Sequence, residues 1–340
     1  MFFSIITAVY NAEKTIAKCI ESVKRQAFLD YELLLVDDGS SDMSGEICKT
    51  MAADDSRIRY FFHENKGVSA TRNRGIAEAL GEYIVFLDSD DAYAPDYLQR
   101  FHSLIIQHTD CSSFCCGYRS FDENGVVTGQ KLFDETAAVS LLDRSCFMEL
   151  YDQFLFAQIW NKAFRSSTIR KTVLRMPDDL SLGEDLLFNL LYLDACGSTD
   201  IVIMNEPLYN YFAGSEQSLN RKYRPDLDSI YECLSEKLAF YSEKWNASDD
   251  GKKRCCNAIY SMLFRAAENY FHRMNKMSNK EKYRSAGSII KSRAFKDAVK
   301  GSDCYINPIH RIAFRLNDFK LVRIMDKLAA AKNKIKKGVR

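Results

Sequence analysis

The sequence predicts an α/β protein in which a mostly parallel sheet is flanked by helices, with a helical extension at the C-terminus. Over the first hundred residues, short apolar segments typical of buried strands alternate with segments whose apolar residues recur at helical spacing. The connections between them are short, as in sheets built with right-handed crossovers. Beyond Pro225 the apolar residues follow helical spacing alone, which predicts the extension.

The first part of the chain is expected to contain four strands, each followed by a helix. The strands are predicted at 2–9, 31–36, 58–62 and 83–88. Their helices are expected to end near Gln26, Ala53, Gly81 and His108. Later strands are expected at 112–118, around the turn Glu123-Asn124-Gly125, at 201–204 and at 208–212. Later helices are expected near 139–151, 166–174 and 186–193.

Composition limits the class of protein. The 340 residues, 46% hydrophobic and 27% charged, have an ordinary soluble globular profile, and a net charge of +1 argues against nucleic acid as a partner. The 11 cysteines are odd in number and lack the spacing of metal ligands, which favours free thiols over a disulfide framework. Neither a signal peptide nor an apolar stretch of ~20 residues is visible. We therefore expect a cytoplasmic protein.

Three carboxylates follow the apolar segment 83–87 within four positions, at Asp88, Asp90 and Asp91. Parallel strands present ligands at their carboxyl ends, so these acids lie where a site is expected. Crowded carboxylates repel one another unless a cation lies between them, and hard oxygen ligands suit Mg²⁺ or Mn²⁺. The alternative is an acidic turn in which Asp91 or Asp96 merely caps the next helix.

A second strand ends in acids, at Asp37 and Asp38. If both strands belong to one parallel sheet, both acidic ends face the same crevice. A metal with a diphosphate would account for one of them. A carboxylate can also accept a hydrogen bond from N3–H of uracil, which cytosine does not offer at that position.

The segment from Gly67 to Arg74 opens the third helix. Gly67 lets the backbone approach a ligand closely, and the helix start offers free N–H groups to an anion. Arg72 and Arg74 lie in its first turns, the unfavourable end of the helix dipole for a cation. Their placement indicates a partner such as Asp37 or a phosphate; the alternative is a pair of surface arginines.

Four segments, in this order and spacing, resemble the family 2 glycosyltransferases of bacterial surface-polysaccharide type, which have the Rossmann-like GT-A fold. The segments are 4–11, 37–40, 67–73 and 88–91. A weaker resemblance continues through 160–162, 183–185 and 207–211. The resemblance implies a GT-A domain over 1–222, with a nucleotide-binding half at 1–105 and an acceptor half at 106–222, and a helical region at 223–340.

The resemblance also implies an activity. Family members transfer a sugar from a UDP-sugar donor to a hydroxyl of a glycan or lipid-linked acceptor, with inversion and with Mn²⁺ or Mg²⁺. The nucleotide-binding residues implied by the family pattern are Thr7, Val9, Tyr10, Glu13, Asp37, Gly67, Arg72 and Asp88. In that pattern Asp37 holds uracil, Arg72 supports the base or diphosphate, and Asp88 contacts the ribose or a metal-bound water.

Asp90 is the metal ligand and Asp185 the catalytic base in the same pattern. Inversion in one displacement needs a carboxylate that deprotonates the acceptor hydroxyl, and a cation that stabilises the departing diphosphate. Glu184 is a rival base, because neighbours at a helix start point about 100° apart. The alternative for both acids is a favourable interaction with the helix N-terminus. Trp160 and Tyr211 could stack on the sugar or the acceptor, and we interpret them instead as core-packing residues.

The sequence is also compatible with two other functions and with a membrane contact. A nucleotidyltransferase uses similar acids but usually carries a Gly-rich basic loop after its first strand, where this chain has residues 10–13. A non-catalytic nucleotide-sugar-binding protein would not need Asp185. The last segment, as one helix over about 309–337, would place its apolar residues on one face and contact an anionic membrane through 309–340. Those apolar residues are Ile312, Leu316, Phe319, Val322 and Met325. The alternative is a packed helix with a solvated basic tail.

Overall fold

The computed structural model describes residues 1–212, 223–304, 306, 308–316 and 318–324. The chain divides into two compact units, Met1–Gln217 and Ser218–Arg340. The first unit contains a mixed sheet with helices, and the second contains helices.

The first unit begins with alternating strands and helices, as predicted. Its early elements are β1 (Phe3–Val9), α1 (Ile16–Lys24), β2 (Tyr31–Asp37), α2 (Ser44–Asp54), β3 (Ile58–Phe62), α3 (Val68–Glu78) and β4 (Tyr83–Phe86). Strand β1 pairs in parallel with β2 and β4, and β2 pairs in parallel with β3. Val9 lies opposite Asp37 in this register, so the strands end at one edge of the sheet. Both acidic strand ends therefore lie at that edge.

The rest of the first unit continues the same sheet. Its elements are β5 (Ala92–Tyr93), α4 (Tyr97–Gln107), β6 (Ser113–Phe121), β7 (Val127–Lys131), β8 (Val139–Asp143), α5 (Phe147–Asp152), β9 (Lys162–Arg165), α6 (Ser166–Thr172), α7 (Glu184–Ala195) and β10 (Asp200–Phe212). The strand order is β3-β2-β1-β4-β9-β6-β10-β5, with β7 on β6 and β8 on β10.

Three expectations for this part need correction. The sheet is mixed, since β9 runs antiparallel between β4 and β6, and β5, β7 and β8 also pair antiparallel. Residues 139–143 form a strand rather than a helix, because they pair with β10, and the helical part begins only after them, with a 3-10 turn at Arg144–Cys146 that leads into α5. Segments 201–204 and 208–212 are one strand, with a register shift at Pro207, which has no N–H to donate.

The core of the first unit lies on both faces of this sheet. Every residue of β2 is buried, and all but one residue of β1, as expected of central strands covered by helices. Helix α1 buries the face predicted from its spacing, formed by Ile16, Cys19, Ile20 and Val23. All eleven cysteines of the chain are free thiols.

The second unit is helical in its described residues. Its helices are α8 (Leu227–Lys244), α9 (Asp249–Asn269), α10 (Asn279–Lys291), α11 (Arg293–Gly301) and α12 (Pro308–Arg315). A capping box of Ser278 and Glu281 starts α10. No described helix is both long enough and apolar enough to cross a membrane.

The expected continuous terminal helix is wrong in its described part. Helix α12 ends at Arg315, and Ile312 and Leu316 are exposed, whereas Phe319 and Val322 are buried. The chain turns after α12 because the Asp318 N–H bonds back to the Ala313 carbonyl. That turn lets the ring of Phe319 stack on Phe271. The predicted residue Met325 and the rest of the segment to residue 340 lie outside the described residues.

Candidate active site at the carboxyl ends of the strands

The acids that end β2 are hydrogen-bonded to nearby chain. Asp37 is buried and accepts from the Ser40 N–H at 2.8 Å and from the Tyr60 hydroxyl at 2.8 Å. Asp38 is also buried and accepts from the N–H groups of Lys66 at 2.7 Å and Gly67 at 3.0 Å. Charge-assisted bonds of this kind are stronger than neutral ones. The two carboxylates therefore fix the loops around them, including the start of α3.

Gly67 is the residue before α3, and it adopts a φ of 88° that favours glycine. A Cβ built at this position would meet no atom within 4 Å. The space above its backbone is thus open, as expected where a ligand approaches closely. This geometry agrees with the prediction for Gly67 without testing its role.

The acids that end β4 have different surroundings. Asp91 is buried and accepts from the Tyr209 hydroxyl at 2.7 Å and the Phe212 N–H at 2.8 Å. The Asp88 side chain is about one-third exposed and accepts a hydrogen bond from the Arg72 guanidinium at 2.9 Å. Asp90 is exposed and accepts no hydrogen bond from another residue of the described chain. Within the described part of the chain, Asp88 and Asp90 keep coordination positions open, whereas both Asp91 oxygens accept hydrogen bonds.

Arg72 connects this acidic end to the start of α7. Its guanidinium, only 6% exposed, bonds to Asp185 at 2.7 Å, to Asp88 at 2.9 Å and to Glu184 at the longer distance of 3.4 Å. The sequence indicated Asp37 or a phosphate as its partner, and the structure instead gives three carboxylates. These carboxylates compensate the cost of burying the guanidinium and raise its pKa. Three acids share one buried cation.

Crowding changes the proton affinity of these acids. Burial raises the pKa of Asp185 above the ordinary value of 3.8, against the opposing effect of Arg72. Loss of surrounding water in the crevice and the charge of Asp88 raise the pKa of Asp90 to about 6, although its side chain reaches the surface. A carboxyl whose pKa lies nearer neutrality is a better proton acceptor than an ordinary one.

The implied metal can be tested against these side chains. Among the described residues, no group of three His, Cys, Asp or Glu side chains converges on one point. A Mg²⁺-type ion commonly uses one or two carboxylates plus substrate phosphates, so it does not require such a group. The Asp90 carboxylate accepts from no other described residue and so offers a hard oxygen ligand, and Asp88 lies beside it. The donor set fits a hard divalent cation held together with a diphosphate.

The other predicted nucleotide residues surround the first strand end. Thr7 and Val9 are fully buried. Val9 reaches the site edge through its carbonyl, which accepts from the Asp38 N–H. Tyr10 is exposed, and Glu13 accepts from the Met43 N–H at 3.1 Å. Tyr10 and the Val9 backbone thus lie at the edge, whereas the Val9 side chain packs in the core.

Tyr209 is a site residue that the sequence did not single out. Its hydroxyl donates to Asp91 and accepts from the Asp88 N–H at 3.3 Å, so it holds both ends of the acidic turn. The indole of Trp160 stacks on the Tyr209 ring at 4.1 Å. Both residues lie in segments that carried the weaker resemblance, and this was the available signal. Trp160 packs as predicted, beneath the acidic turn.

Comparison with known proteins gives the family. Residues 4–176 match the family described as glycosyl transferase family 2. This chain belongs to glycosyl transferase family 2. The resemblance predicted from its four segments is confirmed, and with it the prediction of a glycosyltransferase at the level of the family.

Two similar proteins come from bacteria. The chain is 30% identical over 304 residues to the glycosyltransferase EpsH of Bacillus subtilis strain 168, covering 87% of this chain and 85% of EpsH. It is 31% identical over 244 residues to the glycosyltransferase GlyA of Streptococcus pneumoniae serotype 4, covering 69% of this chain but 34% of GlyA. The chain therefore spans about a third of that relative.

The fold is shared with a solved structure. Residues 1–349 of TarS from S. aureus superpose with a TM-score of 0.70 at 19% identity, covering 98% of this chain and 92% of that one. TarS structures have also been determined with UDP and with UDP-GlcNAc. The expected fold class, an α/β glycosyltransferase fold with C-terminal helices, is confirmed.

Proposed function

We propose that this member of the family is an inverting, metal-dependent glycosyltransferase. It moves a sugar from a UDP-sugar to a hydroxyl of a glycan or lipid-linked acceptor, in polysaccharide biosynthesis. The observation that carries the proposal is the placement of Asp185. A carboxylate with a raised pKa is connected through Arg72 to the acidic end of β4, beside open metal ligands.

Asp185 is the proposed general base. Helix α7 holds it rigidly, because Asn189 one turn later donates to the carbonyls of Phe156 and Gln158. The Arg72 contact fixes the direction of the carboxylate, and its second oxygen can accept the proton of the acceptor hydroxyl. Glu184 is farther from Arg72, at 3.4 Å, and we assign it a supporting charge rather than the base.

Asp90 is the proposed metal ligand, and Asp88 would contact the ribose or a metal-bound water. The bound Mn²⁺ or Mg²⁺ would stabilise charge on the departing diphosphate. Asp90 supplies a charged, open carboxylate for it, and Arg72 keeps Asp88 oriented beside it. In addition, the start of α3 directs backbone N–H groups and the positive end of its dipole toward an anion.

The uridine is proposed to lie at the end of β2. Asp37 accepts two hydrogen bonds, and a carboxylate has acceptor capacity left for uracil N3–H. Thr7, Val9, Tyr10 and Glu13 would surround the nucleotide, and Gly67 would let the backbone come close to it. The register of β1 and β2, which places Val9 opposite Asp37, supports one shared pocket.

The proposed acceptor is a glycan or a lipid-linked molecule, and the proposed location is the cytoplasm. The family resemblance supports a glycan or lipid-linked acceptor, bound by the half of the first unit that follows residue 105. Eleven free thiols, seven of them buried, suit a reducing cytoplasmic environment. An acceptor on a lipid carrier would bring the enzyme to the inner face of the membrane.

The direct test is UDP release from a panel of UDP-sugars. We expect slow release from at least one sugar, with Mn²⁺ or Mg²⁺ and without acceptor, and we expect EDTA to abolish it. Release of pyrophosphate from a nucleoside triphosphate and a sugar phosphate would instead identify a nucleotidyltransferase. Tight UDP-sugar binding with no release under any divalent ion would identify a non-catalytic binding protein.

A further inference from the structure

A groove of about 480 Å³ lies in the second unit, between α11 and α12. Phe295 and Phe314 are buried beneath it, with their rings edge to face at 4.9 Å, and Val299 completes its apolar floor. The two aromatic rings also pack on Tyr260 of α9. The floor is therefore anchored in the unit's core and not in a loose surface segment.

The rim of this groove is positively charged. It consists of Lys296, Lys300, Arg311 and Arg315, and the lining contains no carboxylate in the described part of the chain. None of these four cations forms a salt bridge with a described residue. The nearby acid on α11, Asp297, pairs instead with Arg293 at 3.4 Å. Four like charges around one groove repel one another, and an anion held between them would relieve that repulsion.

Helix α12 adds an exposed apolar pair beside the rim. Ile312 is 54% exposed and Leu316 is 63% exposed, one helical turn apart. Arg311 and Arg315 precede them with the same spacing, so cations and aliphatic side chains occupy adjoining rows. Such a combination of aliphatic and basic side chains is typical of helices that lie in a membrane interface.

We propose that this groove binds the anionic surface of a membrane. A lipid phosphate would lie among the four cations, with the apolar part of the lipid over Val299 and above the buried phenyl rings, while Ile312 and Leu316 enter the interface. The site is formed by α11 and α12 together, and so differs from a continuous basic tail helix. It requires no nucleotide sugar, and therefore does not depend on the proposed chemistry.

The positive charge and apolar residues of the groove favour a phospholipid over two other possible occupants. The remaining segment, 325–340, contains six Lys or Arg and one Asp, so the groove would repel it. An acidic protein surface would satisfy the cations but would gain little from Val299 and the exposed aliphatic pair. A phospholipid matches both halves of the site, since it carries a phosphate and hydrocarbon in one molecule.

The test is flotation with vesicles of equal phosphatidylglycerol and phosphatidylcholine, compared with pure phosphatidylcholine, without nucleotide. The variant Lys296→Glu/Lys300→Glu reverses two rim charges. We expect its partition coefficient to fall at least about tenfold, since each basic residue near such a surface contributes about 1 kcal/mol. Ile312→Ser/Leu316→Ser should also lower partitioning, and should do so at high salt, where charge attraction is screened.

A matched control is Lys276→Glu/Lys280→Glu, which makes the same change of charge on exposed residues of the same unit outside the groove. We expect it to change partitioning less than about threefold, because neither lysine lines the groove. Thermal melting checks that all three variants fold. Equal losses in both charge variants would show general attraction without a groove site and would overturn the proposal. The same conclusion would follow if the wild-type protein did not float with the anionic vesicles.

Discussion

The two acidic strand ends of the first unit look alike in sequence and differ in what their carboxylates contact. At the end of β2, Asp37 and Asp38 accept four hydrogen bonds from backbone N–H groups and a hydroxyl. At the end of β4, Asp90 accepts none from another described residue, and Asp88 shares the buried Arg72 with Asp185. The carboxylates of the first pair stabilise the loops around them. Those of the second group can still bind a cation or accept a proton.

The largest expected effect comes from Asp185. An Asn at this position keeps the shape and can still contact Arg72, but it cannot take a proton. Loss of a general base costs about 10²–10⁴-fold in rate, so Asp185→Asn should bind UDP normally and release it from a UDP-sugar that much more slowly.

Glu184→Gln is the matched control for that change, because Glu184 is the neighbouring acid on the same helix and contacts the same arginine. It should retain more activity than Asp185→Asn. If the order of the two rates were reversed, the base would be Glu184. If neither change slowed turnover, the mechanism would have no base.

The pH dependence should report the same group. The proposed base Asp185 must be ionised for turnover, and burial raises its pKa above 3.8, so activity should be lost on the acid side nearer neutrality than for an ordinary Asp. Below that pKa the rate should fall about tenfold per pH unit. The profile is measured as kcat/KM at saturating divalent ion, which keeps Asp90 ionised. An acid limb that begins only near the ordinary carboxyl value would contradict the assignment.

Asp38→Asn should mainly change stability. The substitution weakens the bonds from Lys66 and Gly67 that hold the start of α3. Hydrogen bonds to a charged group contribute about 1.5–3 kcal/mol, so the free energy of unfolding in urea should fall by about 1–3 kcal/mol. An unchanged urea midpoint would show that this carboxylate is not structural.

A smaller effect is expected for Asp37→Asn. UDP affinity should fall about tenfold, or about 1.4 kcal/mol, and the preference for UDP over CDP should shrink because an amide can also donate to cytosine. Calorimetric titration of both nucleotides measures this. A mutant that bound UDP as tightly as the wild-type protein would remove the uracil assignment.

Local patterns carried most of the sequence predictions. The four parallel strands, both acidic ends, and the helix that opens after Gly183 each depend on a few neighbouring residues. The buried face of α1 was predictable for the same reason. Spacing along the chain is enough where the period of apolar residues differs clearly between strand and helix.

Contacts between distant residues were not predictable in this way. Arg72 meets Asp185 across 113 residues, and Tyr209 meets Asp91 across 118. Strand β8 was predicted as helix because its pairing partner, β10, begins 57 positions after the end of β8. The prediction of one continuous terminal helix was wrong because the Phe319 ring packs on Phe271. The spacing of apolar residues in that segment does not reveal this contact.

The central claim is that the end of β4, and not the end of β2, binds the cation and diphosphate. Calorimetric titration of UDP with and without Mn²⁺ onto the wild-type protein, Asp90→Ala and Asp38→Asn tests it most directly. Mn²⁺ should raise the UDP affinity of the wild-type protein and of Asp38→Asn by a similar factor. It should not raise the UDP affinity of Asp90→Ala. The melting temperature of Asp90→Ala should match that of the wild-type protein. Retention of the full Mn²⁺ effect in Asp90→Ala, with its loss in a folded Asp38→Asn, would contradict the claim.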